Sequence, residues 1–405
     1  MPRFLQPSAF LSDEWTLVAK PVLEIEEGIL KRIHPPGDIP GRQVQPFSDE
    51  VWTRPPALLH AHGESYHAPS KEFNRNSFAA WVKDLLAWRA CGEDVRHSFR
   101  STMRGLRQAG TGHVVFHINP DSGASVMAEF QSPLEFPFWE FLSSNHSEIE
   151  GVFAQWQTEI PNPVGVALHA PYSVSLRLAK KVAAFAADAG IPLSVHLGEH
   201  NEERQYLKST TGPLAAFMAS KGRPLPEQTW ASPLDWLAAV LPESPGPVWV
   251  VHGGDLTVKE LGILKAKGIR LIWCPGTHRY FNRPKPQFFQ AGMLPPCLGC
   301  DSMASNTEMN PLTEFRLACE LMPEYSAQQW WGAMTSQAEN WLSEAGLVGI
   351  HSQAGPIGKP AHFLRLLMPA KKSAAELCLA LALDSQLQAL SEVDFLNQEF
   401  TSSTY

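Results

Sequence analysis

No run in this 405-residue chain approaches the ~20 consecutive apolar residues that a membrane-spanning helix requires. The longest candidates, such as Leu377 to Leu383, are short and flanked by polar residues. The first residues, MPRFLQPSAFLSDEW, lack the continuous apolar stretch of a signal peptide. No membrane partner is expected, and a cytoplasmic location is. Basic runs are also missing, and the formal net charge is -8, which argues against nucleic acid as a main partner. The plainest reading of that charge is solubility. Cysteine is sparse: Cys91, Cys274, Cys297, Cys300, Cys319 and Cys378 show no framework spacing, so free thiols in a reducing compartment are expected. Cys297 and Cys300 form a CxxC without a second pair, and read as buried apolar thiols rather than a zinc knuckle. There are no internal repeats, low-complexity tracts or heptads.

What is present is ample apolar material, 44% of the residues, enough for a large core. The length suits a barrel of ~250 residues with an accessory layer. Residues 14–33 read as short strands, and HPPGDIPGRQVQP after them as a loop. From Pro56 onward short apolar runs alternate with helical patterns such as residues 175–189 and 256–267, the signature of βα units. The strand candidates are ALLHAH, HVVFHIN, FPFWEFLS, VGVALHA, PLSVHLGE, VWVVHGG, RLIWCPG and PPCLGCDS. About eight such strands close a (β/α)8 barrel. After Trp341 the texture changes, and residues 355–368 read as a turn followed by a strand. The expected architecture is a TIM-type barrel over residues 56–344. A small β-sandwich made from residues 1–55 and 345–405 stands beside it, with a helix candidate in the tail from Lys371.

The polar residues sit where a barrel's chemistry belongs, at the carboxyl ends of the strands. Those ends carry His60 and His62, His169, His196 and Glu199, His252, and Asp301. Residues two apart on a strand share a face, so His60 and His62 suit one ion, although an HxH alone also describes two core histidines. His196 adds a third imidazole and Asp301 a carboxylate, a set that suits zinc or ferrous iron. An ion so held acidifies water, making hydroxide available near neutral pH. Glu199, three residues beyond His196, is placed to protonate a ring nitrogen, and His252 to steady the developing oxyanion.

The string HAH, HAPYSVS, HLGEHNEE, VVHGGDL, CPGTHRYF and LGCDSMASN resembles the amidohydrolase superfamily. Within it, the chain resembles the mononuclear cytosine deaminase and chlorohydrolase-like branch. The nearest subgroups are the aminodeoxyfutalosine deaminases and the S-adenosylhomocysteine and methylthioadenosine deaminases. The resemblance implies one divalent metal on His60, His62, His196 and Asp301, with zinc favoured and ferrous iron allowed. It implies Glu199 as the proton shuttle, His252 as the residue that orients water, and Asp301 as the base. His169 matches a position that contacts the sugar of nucleoside substrates. His278, Arg279 and Ser305 are further substrate-binding candidates, Arg279 being equally a solvated loop residue. His67, His113, His117 and His200 are not expected as ligands, although His117 lies near the barrel mouth. Departures fall at HAHGESYH, at CPGTHRYF, where many members carry Ser-Asn, and at Cys300, where Thr is usual. By analogy a homodimer is allowed.

The resemblance thus implies hydrolytic release of ammonia from an adenine nucleoside derivative, with a small molecule and water as partners. The alternatives left open are guanine or cytosine deamination, triazine dechlorination, and a barrel that binds a nucleoside without turnover.

Overall fold

The computed structural model describes residues 2–12, 17–27, 29–118, 126–142, 151, 153–154, 163–223, 226, 228–348 and 363–367. The expected tail helix, and the expected turn before residue 363, lie outside these. The chain divides into two compact units, Met1–Leu58 with Met103–His113 and Asn310–Tyr405, and Leu59–Thr102 with Val114–Met309.

In the first unit early strands pair with a late one. Strands β1 (Arg3–Leu11), β2 (Leu17–Ala19), β3 (Val22–Glu26), β4 (Ile29–His34) and β5 (Val44–Thr53) join the late strand Leu364–Leu367 in one six-stranded sheet. The late strand runs antiparallel to β5, with Leu364 opposite Thr53. Arg365 fixes this pairing through Glu50, 2.7 and 2.8 Å away. Leu5, Phe10, Leu23, Ile25, Leu30, Trp52 and Phe363 form its core. The described residues give one mixed sheet here, not two stacked ones, because β1 pairs with both β3 and β5. The helices Pro311–Leu321, Ala327–Met334 and Ser336–Glu344, expected to end the barrel, group with this unit.

Eight strands build the barrel, in chain order: β6 (Leu58–His62), β7 (Val114–Ile118), β8 (Glu135–Phe141), β9 (Val166–Leu168), β10 (Leu193–Leu197), β11 (Val248–His252), β12 (Arg270–Trp273) and β13 (Cys297–Leu298). All eight fall on the apolar runs read from the sequence. β7, β9, β10 and β11 are buried along their whole length, as strands covered on both faces must be. A parallel bridge between Ala61 and Asp301 joins the last strand to the first. There the His62 amide donates to the Asp301 carbonyl at 2.8 Å, and the Cys300 amide to the His60 carbonyl at 2.9 Å. Gly299 lets the strands close: a Cβ there would stand 2.8 Å from the His60 carbonyl oxygen.

Crossover helices start where the sequence provides a cap. Ser175 Oγ accepts from the Leu178 amide to begin Leu176–Ala189, which ends at Gly190 with φ +66°. Thr257 and Glu260 form a capping box at Val258–Ala266. Among the described residues no helix is long and apolar enough to cross a membrane.

Candidate metal centre and active site

The residues singled out at the strand ends converge inside the barrel unit. His60 and His62, alternate residues of β6, have ring centroids 4.9 Å apart. His196, near the end of β10, brings its Nε2 to 3.2 Å from His60 Nε2 and 3.4 Å from His62 Nε2. Asp301 Oδ1 lies 3.6 Å from His60 Nε2 and 3.7 Å from His62 Nε2. The residues fit an ion: a tetrahedral centre with bonds of ~2.1 Å has ligand–ligand edges of ~3.4 Å.

Hydrogen bonds behind these donors fix which atom faces the centre. His196 Nδ1 donates to the His169 carbonyl at 2.7 Å, leaving its Nε2 lone pair free. Asp301 Oδ2 accepts from Ser305 Oγ at 2.7 Å and from Thr277 Oγ1 at 3.0 Å, so Oδ1 is the oxygen left for the imidazoles. Asp301 and His252 both adopt left-handed backbone, with φ +57° and +74°. Such strain in non-glycine residues gathers at functional sites, and here His252 ends β11 while Asp301 makes the bridge to β6 just beyond β13.

Glu199, His252 and Asp301 form a second group, with donor atoms within 4.8 Å of one another. His252 Nε2 stands 3.8 Å from Glu199 Oε1. Burial pushes His252 down to about 4, against the pull of Glu199 and Asp301, so it is neutral at physiological pH. Burial alone would raise the Glu199 carboxyl, but His252 and Arg283 outweigh it and hold the group below the ordinary carboxylate range. Arg283 Nη2 donates to Glu199 Oε1 at 2.9 Å.

The amidohydrolase family pattern matches residues 59–327, about two thirds of the chain. The chain belongs to the amidohydrolase family. It is accordingly a hydrolase acting on carbon–nitrogen bonds. This amidohydrolase is 24% identical over 294 residues to the aminodeoxyfutalosine deaminase of Deinococcus radiodurans, covering 66% of this chain and 68% of the relative. It is also 24% identical over 331 residues to the 5-methylthioadenosine/S-adenosylhomocysteine deaminase of Pyrococcus furiosus, covering 76% and 72%. In fold it is similar to Helicobacter pylori aminofutalosine deaminase, with a TM-score of 0.78, 19% identity, and coverage of 96% and 97%.

The residues expected to contact substrate make the following contacts within this amidohydrolase. Ser305 is fully buried and is spent on Asp301, because a buried carboxylate needs donors on its second oxygen. Arg279 is exposed on the helix Pro275–Tyr280. The arginine that pairs with Glu199 is Arg283, four residues on, its guanidinium 4.6 Å from the Phe281 ring centroid. His169 uses its carbonyl to orient His196, while its Nδ1 meets Ser173 Oγ at 2.6 Å. His278 is buried, and burial pushes it down to about 3.

The motif HLGEHNEE divides its labour. His196 faces the centre and Glu199 follows on the turn. His200 Nδ1 caps the next helix, Asn201–Ser209, by accepting from the Glu202 amide at 3.1 Å. Glu202 accepts from the amides of Phe78 and Ala79 at 3.0 and 3.1 Å, capping the helix Phe78–Arg89. Glu203 accepts from the amides of Gly198 and Glu199 at 2.9 and 3.3 Å, fixing the turn that carries Glu199.

Sequence reading missed four residues: Thr277, Glu203, Arg283 and the pair partner Glu140. Thr277 sits where CPGTHRYF departs from the family's Ser-Asn, and that departure was its only signal. Glu140 on β8 is 1% exposed and lies among histidines, with Oε1 3.4 Å from His117 Nδ1 and 3.5 Å from His196 Nδ1.

Proposed function

We propose that this amidohydrolase removes the amino group from the six-membered ring of an adenine nucleoside derivative, releasing ammonia and leaving an oxo group. The observation that carries the proposal is the convergence of three imidazole Nε2 atoms and Asp301 Oδ1 at 3.2–3.7 Å, with Glu199 and His252 grouped beside Asp301. The similarity to two deaminases of adenine nucleosides supports the choice of ring.

His60, His62, His196 and Asp301 would hold one divalent ion, and three nitrogens with one oxygen favour zinc, with ferrous iron fitting the same donors. Such an ion, when bound, acidifies water and supplies the nucleophile near neutral pH. Asp301 Oδ1 accepts one of the protons that the attacking water gives up. Neutral His252 donates from its ring N–H to the oxygen as charge develops on it. Glu199 Oε1 starts as a carboxylate, takes up one proton of the water and passes it to the ring nitrogen beside the amino-bearing carbon, which makes that carbon electrophilic; the other proton, taken by Asp301, goes to the amine as ammonia leaves. Arg283 keeps Glu199 ionised and aimed before substrate arrives. His169 and His278, both near this group, are the proposed substrate contacts. The five described cysteines are free thiols, which suits a cytoplasmic location.

Metal analysis and ammonia release across a panel of adenosine, methylthioadenosine, S-adenosylhomocysteine and aminodeoxyfutalosine test the reading. Glu199→Gln should lower kcat by about 10²–10⁴-fold while the bound metal is retained. An unchanged rate in that variant would remove the mechanism. Silence on every adenosine with turnover of guanine or cytosine would remove the substrate class.

A further inference from the structure

His117 is an imidazole with no function in the scheme above. It lies on β7 and is 0% exposed, and neither ring nitrogen has a hydrogen-bond partner among the described residues. Burying both nitrogens unpaired is costly, so the ring calls for a partner. Its surroundings narrow the choice. One face lies nearly parallel to the Phe138 ring, with centroids 6.3 Å apart. Its edge approaches His60 at 4.4 Å, His196 at 5.1 Å and His62 at 5.6 Å between centroids. A ring nitrogen of His117 and one donor nitrogen from each of those three histidines lie within 4.8 Å of one another.

Glu140 supplies the second half of the argument. It is two residues beyond Phe138 on β8, hence on the same face of the strand. Its Oε1 also has no hydrogen-bond partner, yet stands 3.4 Å from His117 Nδ1. A carboxylate against an imidazole whose ring lies among other imidazoles able to hold an ion is how proteins orient a ligating histidine. A slight closing of the Glu140 to His117 approach would satisfy Oε1 and Nδ1 together and leave Nε2 with a bare lone pair.

We propose that His117 is a fourth imidazole donor to the metal of this amidohydrolase, with Glu140 as the carboxylate that orients it. The centre would then carry four nitrogens and Asp301, a more crowded shell than three histidines and an aspartate provide. This rests on the metal-dependent reading given above.

Cobalt(II)-loaded full-length protein tests it, because each metal-bound histidine contributes one strongly shifted exchangeable ring N–H signal to the proton NMR spectrum. Four such signals are expected in the wild type and three in His117→Gln, with the visible cobalt bands intensifying as the coordination number falls. His117→Gln should also lose its ion to a chelator about 10–100-fold more readily, and Glu140→Gln should weaken retention while keeping four signals. Three signals in the wild type, or a spectrum and ion retention unchanged in His117→Gln, would overturn the assignment. The wild-type count alone decides if the variant does not fold. A wild type that binds no divalent ion would instead overturn the reading of the site itself.

Discussion

Glu203, in the helix Asn201–Ser209, accepts from the turn that carries Glu199, and their surroundings drive the two in opposite directions. Burial pushes Glu203 up to about 8, against the lowering effect of the Gly198 amide, while His252 and Arg283 hold Glu199 low. A carboxyl whose folded pKa is raised binds a proton that the unfolded chain has already released. Its contribution to stability is therefore complete below the ordinary value of about 4.5 and is lost as pH climbs through about 8. Glu203→Gln keeps a neutral acceptor for the backbone amides and removes that titration. Thermal unfolding followed from pH 5 to 9 should show the wild type losing stability relative to Glu203→Gln, and parallel curves would contradict the assignment. At this scale the proposed ligands were readable because each ends an apolar run, where a polar residue is conspicuous. Glu203, Arg283 and Glu140 were not, since a carboxylate on a helix, an arginine in a loop and a glutamate inside FPFWEFLS take their meaning from partners distant in sequence.

Among elements, the loop after β10 organises its neighbours as well as the site. Glu202 closes the buried first turn of Phe78–Arg89 from 123 and 124 residues away. Arg204 grips Asp255 at 2.7 Å and Glu260 at 2.8 and 2.9 Å, tying Asn201–Ser209 to the segment that follows β11 and His252. Glu202→Ala leaves two helix-terminal amides without their acceptor and should cost about 1 kcal/mol, read as a lower midpoint in denaturant with little change in the slope. Glu202→Gln, which keeps an acceptor oxygen, should recover part of the loss. The barrel strands were legible because continuous apolar runs of four to eight residues between turns are what a sheet covered on both faces demands. β1 and β5 were not recognised. Each carries a proline, Pro7 and Pro46, which reads as a break in a strand. The two prolines fall in adjacent pairs, Gln6 with Pro46 and Pro7 with Phe47, next to a register shift that accommodates the missing donors.

For the whole molecule, closure of the barrel and assembly of the site are one event. The bridge at Ala61 and Asp301 lies between His60 and His62 on one strand and is made by a proposed ligand on the other. Gly299→Ala would place a methyl group 2.8 Å from backbone and side-chain atoms of His60 and 3.0 Å from Cys274 Sγ. Overpacking of that kind costs about 1–3 kcal/mol. The expected result is a lower melting temperature together with weaker metal retention, whereas Gly262, with open space around it, should accept alanine without effect on the metal.

Since β6 and the chain beyond β13 each contribute donors, a cation between them would act as a clasp across the one place where the cylinder has to meet itself. Dialysis against a chelator should then do more than silence the chemistry. It should unfasten the wall, so that the amides of His62 and Cys300 exchange with deuterium faster while those of β10 and β11 stay protected. It should also lower the melting temperature, the restored ion being worth about 2.7 kcal/mol when present at a hundred times its dissociation constant.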